Sequence, residues 1–466
     1  MKRGEASSIT LSVSPQVVAL KQLRADLAAA PWPILPLGHP EVAEINPKVD
    51  LKSLDDDAPV SFLPMEAVEE NTNTFHPTVR PVGEVRKGYT AFADNDVIWA
   101  KITPCMQNGK SALVRGLTNG VGSGSTEFHV LRAGPKALPE FLWALLSMPR
   151  LLFAAQGAFA GSSGHQRVPA TFLSELQIPV PDITVQRELI AGLKAGRDRR
   201  GEALELADRT AQATEEEVAT VLGFSLPRFE PTSTYAVTRA TALASRLDAN
   251  FHHPRYVEAL RALNSGNGDK LTIGDILFDI SGGATPKAKD SSLYATSGVR
   301  FFRILNIKPN RIDFSDLNFV QEEVHEGLLK RSQLAVDDVL MTITGRVGTA
   351  AVVSEKDLPA NINQHIVRLR IDTSRCLPQY LAAYLNTKLG TLLTNRPVSG
   401  GTRVALDYGA IRQMPILLPS MDRQKEVVRI VEEGLQREAD LRGEAQSIWQ
   451  AARQRFEDQL LNGVAP

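Results

Sequence analysis

The sequence has few of the features that mark secreted, membrane or metal-binding proteins. Its 466 residues include only two cysteines, Cys105 and Cys376, which lie far apart and match no metal-ligand spacing. No apolar run approaches the roughly eighteen residues of a membrane span. No apolar signal-peptide segment follows the first residues of the sequence. These absences predict a protein of the reducing cytoplasm.

The chain also lacks an excess of positive charge, because its formal net charge at pH 7 is -1. A strongly basic chain would indicate a nucleic-acid partner, and this composition gives no such indication. A DNA-binding surface would therefore have to come from the local placement of basic and polar side chains.

The short motifs of several enzyme classes are missing as well. There is no Asn/Asp-Pro-Pro-aromatic tetrad for a flipped adenine. Residues 108–111 end like a phosphate-binding loop, but Pro104 stands where the first glycine belongs. There is no Glu-x-Lys, and the Asp-x-Lys at 50–52 lies in a polar loop rather than a nuclease motif. With no nucleophile elbow either, the sequence argues against a stand-alone enzyme and predicts no cofactor and no metal site.

Two long proline-free stretches, at 182–224 and 420–466, dominate the pattern that is present. Apolar residues on a three-and-four spacing predict one helix in each stretch. Thr184 is the expected N-cap of the first helix, and Gly223 is its expected stop. About forty residues make a rod of about 60 Å. Each apolar stripe is too narrow to be buried alone, so we expect the two helices to pack together.

The rest of the sequence repeats itself at a nearly constant spacing, which indicates a duplicated unit. Each copy is predicted to be a mixed α/β globule followed by a long helix, and two copies predict a pseudo-twofold molecule. The patterns also predict strands at 61–65, 96–100 and 127–131, a helix at 139–157 and a short amphipathic helix before Pro31. The matching segments are 37–40 with 273–276, 95–102 with 337–344, 128–132 with 366–370, 161–168 with 399–404, and the two helix starts.

Polar and basic residues gather in loops at equivalent places in the two copies. Glycine lets a backbone approach a ligand closely, and Ser, Thr, Arg, Gln and His side chains contact phosphates and base edges. Each residue taken singly also fits an ordinary solvated loop, and the duplicated placement favours a binding role. The candidates for DNA contact are Lys101, Gln107, Asn108, Lys110, Ser162, Ser163, His165, Gln166 and Arg167 in the first copy and Arg303, Asn306, Lys308, Arg346, Asn363, Gln364, Thr402 and Arg403 in the second.

An ordered set of motifs in two copies carries a family resemblance. With these motifs the chain resembles the specificity subunit of type I restriction-modification systems. The sequence departs from that family at Val185 and Arg423, where a Glu often precedes the Gln of the helix start. The motifs are 101–105 with 108–110, 124–128 with 130–132, 161–164, 246–249, 281–286 and both Pro-x4-Gln helix starts.

The resemblance implies an α/β (mixed α+β) fold in which two pseudo-symmetric target-recognition domains are joined by two long antiparallel coiled-coil helices. Each domain would read one half of a split double-stranded DNA target. The implied divisions are an N-terminal lead-in at 1–31, recognition domain 1 at 32–181, the central helix at 182–224, a linker at 225–245, recognition domain 2 at 246–419 and the C-terminal helix at 420–466.

The resemblance also implies partners and a role. The paired helices would dock DNA adenine methyltransferase (modification) subunits, and a restriction/translocase subunit would bring ATP hydrolysis and cleavage. The chain itself would be a non-catalytic, cytoplasmic recognition subunit without a membrane partner. Two alternatives stay open: a DNA-binding scaffold of a related defence complex without strict sequence readout, and an enzyme with an unrecognised site.

Overall fold

The computed structural model describes residues 14–161, 166–226, 251–287, 290–397 and 405–463. The chain forms two compact units. The first combines Met1–Leu204 with Gly443–Pro466, and the second is Glu205–Arg442.

The first unit alternates short helices and strands. Its helices are α1 (Pro15–Ala29), α2 (Val82–Val85), α3 (Pro139–Leu146), α4 (Pro149–Ala155), α5 (Ala170–Glu175) and the beginning of α6 (Ile183–Leu222). Its strands are β1 (Ile34–Pro36), β2 (Ala43–Ile45), β3 (Pro59–Leu63), β4 (Thr78–Pro81), β5 (Thr90–Ala93), β6 (Asp96–Ala100), β7 (Ser111–Leu113), β8 (Val121–Gly124), β9 (Phe128–Ala133) and β10 (Gln177–Pro179). The part from α1 to β10 is the first domain.

The first domain contains two four-stranded sheets. One has the order β2-β9-β6-β7, and the other has the order β4-β3-β8-β5 with β3 and β8 parallel. β1 and β10 form a separate antiparallel pair that leads into α6. β6 is buried along its whole length, which explains its run of apolar side chains.

The second unit repeats this arrangement. Its helices are the end of α6, α7 (Pro254–Ser265), α8 (Glu322–Glu326), α9 (Pro378–Asn386), α10 (Lys388–Asn395), α11 (Tyr408–Arg412) and the beginning of α12 (Met421–Asn462), which ends in the first unit. Its strands are β11 (Asp269–Thr272), β12 (Leu277–Gly282), β13 (Tyr294–Ala295), β14 (Val299–Phe302), β15 (Ile307–Lys308), β16 (Arg311–Ile312), β17 (Asn318–Val320), β18 (Val339–Thr342), β19 (Ala350–Val352), β20 (Ala360–Ile362), β21 (Ile366–Ile371) and β22 (Pro415–Leu418). The part from α7 to β22 is the second domain.

The sheets of the second domain have the orders β12-β21-β18-β19 and β13-β17-β14-β20, with β14 and β20 parallel. β11 pairs with β22 ahead of α12, as β1 pairs with β10 ahead of α6. β15 and β16 form an additional hairpin. The mixed helix-and-sheet fold with a duplicated design, predicted from the sequence, is confirmed.

One predicted helix is in fact two. The pattern at 139–157 predicts a continuous helix, but α3 ends at Leu146 and α4 begins at Pro149. Proline has no N–H for the preceding turn and clashes with the carbonyl four residues before it, so the helix breaks there. The apolar side chains on both sides of the break, including Phe141 and Leu151, are buried in the core of the first domain.

The two long helices predicted from the sequence are confirmed, and they pack against each other within each unit. In the first unit the backbone at Gly196 approaches Ala452 so closely that a Cβ would clash. In the second unit Gly434 packs on Thr214 in the same way. The chain enters α6 at Ile183, so Thr184 lies inside the helix and not at its N-cap.

A buried glutamine ties the start of α6 to the first domain. Gln186 is 0% exposed. Its Nε2 donates to the carbonyls of Lys136 and Pro181 (2.8 Å each), and its Oε1 accepts from the Leu138 N–H (2.8 Å). The angle at which the helix leaves the domain is therefore fixed by three buried hydrogen bonds.

The same set of three buried hydrogen bonds, which we call a glutamine clamp, recurs at the start of α12. Gln424 is 0% exposed and donates from Nε2 to the carbonyls of Arg375 (2.9 Å) and Pro419 (3.0 Å). Its Oε1 accepts from the Leu377 N–H (2.8 Å). The two glutamines thus make equivalent bonds to equivalent loops, which explains why both helix starts share the Pro-x4-Gln pattern.

Among the described residues, no single helix is long and apolar enough to cross a membrane. α3 and the helical segment Pro149–Ala158 pass such a test only as a pair bent by 63°.

Candidate nucleic-acid interface

Three loops of the first domain meet at one end of β6. Lys101 donates its N–H to the Glu127 carbonyl (2.9 Å), and its carbonyl accepts from the Val168 N–H (2.9 Å). Thr103 donates its N–H to the Gln166 carbonyl (3.0 Å). These bonds hold the loop after β6, the turn before β9 and the loop before α5 together. We define the first junction as residues 101–103, 125–127 and 166–168.

An ion pair crosses the first junction. Arg167 donates from Nε to Glu127 Oε2 (2.8 Å) and from Nη2 to Glu127 Oε1 (2.7 Å). This bidentate geometry fixes the plane of the guanidinium. The bonds from Arg167 lower the pKa of the Glu127 carboxyl, and the same bonds raise the pKa of Arg167. The Arg167 side chain is 44% exposed, so an oriented cation lies at the surface of the junction.

His129 supports this junction from within the domain. Its Nε2 lies 2.9 Å from the Val168 carbonyl, and its Nδ1 lies 3.3 Å from Asn46 Nδ2. Because a carbonyl can only accept, Nε2 carries the hydrogen and Nδ1 accepts from the Asn46 amide. Burial lowers the pKa of His129, which keeps this uncharged ring in place near neutral pH.

Gln107 is linked to the first junction through Thr103. The Thr103 hydroxyl donates to Gln107 Oε1 (2.5 Å), and Gln107 Nε2 donates to Gln156 Oε1 (3.0 Å). The Gln107 side chain is exposed, so this chain of polar groups reaches solvent beside the junction.

Asn108 and Lys110 belong to the same loop but point to another neighbour. Asn108 Nδ2 donates to Glu70 Oε1 (2.8 Å), and Lys110 Nζ donates to the Met65 carbonyl (3.2 Å). The two side chains therefore join this loop to residues 65–70, a segment that follows β3.

A cleft of about 590 Å³ lies beside the first junction. Lys48, Lys52 and Lys101 line it together with Asn46, Asp50 and Thr90. Within the described residues, none of these three lysines has a carboxylate at ion-pair distance. Ammonium groups that lie beyond ion-pair distance of a carboxylate, set around a cleft, suit the phosphates of a nucleic-acid backbone.

The second domain builds the same meeting of loops. Ile343 donates its N–H to the His365 carbonyl (2.9 Å), and its carbonyl accepts from the Leu406 N–H (3.1 Å). These two bonds correspond to those of Lys101 in the first domain. We define the second junction as residues 343–346, 363–365 and 405–406.

The register of the second junction shows which residues correspond. Thr344 forms a bridge with Ala405, as Ile102 does with Arg167. Ala405 therefore stands where the first domain has its arginine, and the Glu127–Arg167 ion pair has no counterpart at these positions.

Uncharged polar groups and one arginine line the second junction instead. His365 Nδ1 lies 2.9 Å from Thr344 Oγ1, and its Nε2 lies 3.2 Å from Gln364 Nε2. Gln364 Oε1 accepts from the Thr285 hydroxyl, and the Gln364 side chain is exposed. Arg346 is also exposed, so this junction presents one amide and one guanidinium to solvent.

A fixed turn follows β14 near the second junction. Asn306 is 1% exposed; its Oδ1 accepts from the Arg303 N–H (2.9 Å), and its Nδ2 donates to the carbonyls of Asp313 (3.0 Å) and Ser315 (3.1 Å). The Arg303 guanidinium pairs with Asp316 Oδ2 (2.8 Å). Asn306 thus shapes this turn from inside, while Arg303 borders it.

Two of the remaining candidates have contacts in the described structure, and five lie outside the described residues. Lys308 Nζ lies 3.9 Å from Asp313 Oδ2, and Asn363 Oδ1 accepts from the His365 N–H (3.1 Å) within its own turn. The candidates that lie outside the described residues are Ser162, Ser163, His165, Thr402 and Arg403.

Glu322, His325 and Glu326 are the ligand-type side chains that come within 4.8 Å of one another in the described part of the chain. His325 Nδ1 lies 2.6 Å from the buried Asn361 Oδ1, which assigns this side chain to packing the short helix α8.

Lys48, Lys52 and Glu127 belong to this site although they are not among the residues predicted from the sequence. A local signal was available for two of them, because Lys48 follows the end of β2 and Glu127 directly precedes β9. Polar residues that flank strand ends often reach a shared edge. That Lys48 and Lys52 share a cleft with Lys101 is a consequence of strand order, which the local sequence does not contain.

Comparisons with known proteins give a family match to part of the chain and partial sequence matches to two relatives. Residues 268–440 match the family model described as the type I restriction modification DNA specificity domain. The chain is 38% identical over 152 residues to the specificity subunit of the Escherichia coli type I restriction enzyme EcoEI, which is 32% of this chain and 25% of that subunit. It is 38% identical over 151 residues to the Escherichia coli EcoAI specificity subunit, again 32% and 25% of the two chains.

A solved structure from a study of complex assembly and conformational transition of the type I R-M system is similar over 93% of this chain and 98% of its own. The sequence identity is 19% and the TM-score is 0.49. The sequence matches to the EcoEI and EcoAI specificity subunits each span only about a quarter of the relative's length. The sequence matches confirm the resemblance to type I specificity subunits, and residues 268–440 are the part that matches the type I restriction modification DNA specificity domain.

Proposed function

We propose that this chain is the DNA sequence-specificity subunit of a type I restriction-modification complex. Its two junctions read the two halves of a bipartite duplex target. The observation that carries the proposal is the repetition of one backbone junction with different side chains on it, an ion pair in the first domain and an amide with a guanidinium in the second. Two copies of one frame with different surfaces suit two different short sequences.

The first junction has the chemistry of direct base readout beside a backbone-binding cleft. A fixed arginine guanidinium matches the O6 and N7 acceptors of guanine in the major groove. The Lys48, Lys52 and Lys101 ammonium groups beside it match phosphates, which position a protein without specifying sequence. The near-zero net charge of the chain is compatible with this role, because the cations are grouped.

The second junction suits a different base pattern. The exposed amide of Gln364 can donate and accept at once, as required by the N6 and N7 groups of adenine. Arg346 lies in the same junction and can contact guanine or a phosphate.

The long helices supply the docking surface for DNA adenine methyltransferase (modification) subunits in this proposal. At 40 and 42 residues they are far longer than the helices within the domains, such as α3 with 8. In the second unit a groove of about 160 Å³ runs beside the helix pair. Ala211, Val218, Val431 and Leu435 contribute apolar surface to this groove, which suits apolar side chains of another protein.

The proposal assigns no catalytic step to this chain. The modification subunits would hold the methyl donor and methylate adenine, and a restriction/translocase subunit would hydrolyse ATP and cleave DNA. This chain contributes the choice of DNA sequence and the surface on which the complex assembles.

Methyl transfer to DNA tests the proposal directly. The purified chain, the modification subunits and the reconstituted complex are each incubated with DNA and a labelled methyl donor. We expect only the complex to methylate, at adenines within one split sequence. Methylation by the highly purified chain alone would contradict the proposal, and methylation by the complex without sequence preference would favour a non-specific scaffold.

A further inference from the structure

Leu305 is a large apolar side chain exposed near the second junction. It is 62% exposed and lies between Ile304 and Asn306 in a single 3₁₀ turn after β14. Isolated exposed leucines are common on protein surfaces. The position and rigidity of this turn set Leu305 apart from them.

The turn holds Leu305 outward. The neighbouring Asn306 side chain is buried and makes three hydrogen bonds, to the Arg303 N–H and to two carbonyls of the segment 313–315. The backbone adds a further bond from the Asp313 N–H to the Asn306 carbonyl (2.7 Å). These bonds fix the backbone that carries Leu305, so the turn holds this side chain at the surface of the domain.

The turn also touches the second junction. A Cβ on Gly345 would lie 3.1 Å from Ile304 Cδ1, and Gly345 has a φ of +67°. Gly345 lies between Thr344 and Arg346, in the segment 343–346 of the second junction. Thr344 in that segment contacts His365, which is next to Gln364. The exposed leucine therefore borders the surface to which we assign base readout.

We propose that Leu305 contacts the apolar surface of a base in the half-site read by the second domain. This inference rests on the proposed function. Arg303 and Lys308 border the turn close to Asp316 and Asp313, and the exposed Arg346 directly follows Gly345. An exposed guanidinium next to the turn favours a polyanion over an apolar protein surface. Duplex DNA offers an apolar side chain two targets, the C5-methyl group of thymine and the face of a base at an unstacked step.

The inference predicts a loss of both affinity and selectivity on Leu305→Ala. The probe is the duplex that the reconstituted wild-type complex selects from random DNA. We expect about tenfold weaker binding to this duplex, with relaxed preference at one position of one half-site and unchanged binding to unrelated DNA. Leu328→Ala is the matched control, because Leu328 is 59% exposed in the same domain; it should bind like the wild type.

Two substituted probes distinguish the two apolar targets. If Leu305 contacts a thymine methyl group, replacing that thymine with deoxyuridine weakens wild-type binding and leaves Leu305→Ala unchanged. If Leu305 enters an unstacked step, 2-aminopurine placed there brightens with the wild-type complex and not with Leu305→Ala. Either result supports the inference and shows whether Leu305 contacts a thymine methyl group or the face of an unstacked base.

Unchanged affinity and selectivity of a folded Leu305→Ala complex would overturn the inference. So would a loss that is confined to association with the modification subunits, because it would assign Leu305 to a protein contact. Failure of the wild-type complex to select any sequence would instead overturn the proposed function, so the two failures are distinguishable.

Discussion

In both domains one four-stranded sheet has the same order, β2-β9-β6-β7 in the first and β12-β21-β18-β19 in the second. A buried carboxylate lies at the same place in each: Asp96 pairs with Arg132 (2.8 Å), and Asp338 pairs with Arg370 (2.8 Å). Bonds from these carboxylates raise the pKa of both arginines. The sheet, the buried Asp–Arg pair and the glutamine clamp thus form a common frame that occurs in both domains.

The surfaces of the two junctions differ on this common frame. The first carries Arg167 and Glu127 beside three lysines, whereas the second has Ala405 and His365 at the corresponding positions and Leu305 nearby. Backbone hydrogen bonds hold the loops of both junctions. Side chains can therefore change there without loss of the frame, which explains how one fold can present two different reading surfaces.

The largest effect is expected from breaking the shared frame. Gln186→Ala and Gln424→Ala each leave three backbone groups without their buried partner, which should cost about 3 kcal/mol of unfolding free energy. Trp32, Trp99, Trp143 and Trp449 all lie in the first unit, so tryptophan fluorescence during urea denaturation reports on that unit. We expect Gln186→Ala to lower the fluorescence midpoint more than Gln424→Ala does.

The control for this pair is Gln436→Ala. Gln436 lies exposed on α12 and bonds only to Asp440 on the same helix (2.7 Å) among the described residues. If neither clamp variant unfolds at a lower urea concentration than this control, the clamps do not fix the helices to the domains.

The next effect separates the two reading surfaces. Arg167→Ala should weaken binding to the selected duplex roughly five- to a hundredfold if the guanidinium reads a base. The loss should fall on one half-site only, and Arg403→Ala should affect the other. Arg115→Ala is the control, since Arg115 is 50% exposed and also pairs with a glutamate, Glu140. Equal losses on every DNA sequence would make Arg167 a phosphate contact instead.

A smaller effect is expected from the lysine cleft. Lys48→Gln with Lys52→Gln should weaken binding to all sequences alike. The slope of log affinity against log salt should fall by about 0.9 for each lost phosphate contact. Lys21→Gln, an exposed lysine of α1, should leave the slope unchanged. A slope that stays the same in the double variant would remove the cleft from the DNA-binding surface.

The smallest effect distinguishes the two domains by pH. Burial lowers the pKa of His129, so the unfolded chain binds this proton more tightly and the first domain loses stability as pH falls below about 6.5. The second domain has Val367 at this place, paired with Met341 as His129 is with Trp99. His129→Gln keeps a donor without a titrating group.

We therefore expect His129→Gln to reduce the loss of thermal stability between about pH 6.5 and about pH 5, measured by tryptophan fluorescence. Glu127 acts only at lower pH, because its pKa is lowered from 4.5 and its contribution is lost below that value. Identical pH profiles of the variant and the wild type would show that His129 is not held uncharged.

Much of the fold could be predicted from the sequence because its signals are local and occur twice. The predicted strand at 96–100 is β6, and the long helices follow from their apolar spacing. Pro149 is a local signal for the break between α3 and α4, but the apolar pattern on both sides of it predicts one helix. Sheet order and the parallel pairing of β3 with β8 depend on distant contacts, which no local pattern contains.

The candidate site was predictable in part for the same reason. Lys101, Gln166 and Arg167 meet as their equivalent loop positions suggest. The sequence predicts Asn306 to be a polar loop residue, yet its amide is buried, because a turn of this shape needs an internal acceptor and donor. Leu305 has no polar signal at all, and only its exposure in the folded domain draws attention to it.

The central claim is that two junctions of different chemistry read two separate DNA segments. Selection from random duplex DNA with the reconstituted complex, repeated with Arg167→Ala and with Gln364→Ala, tests it most directly. We predict that the wild type selects two fixed segments with an unspecified stretch between them, and that each variant relaxes a different segment. A single continuous site, or relaxation of the same segment by both variants, would contradict the account.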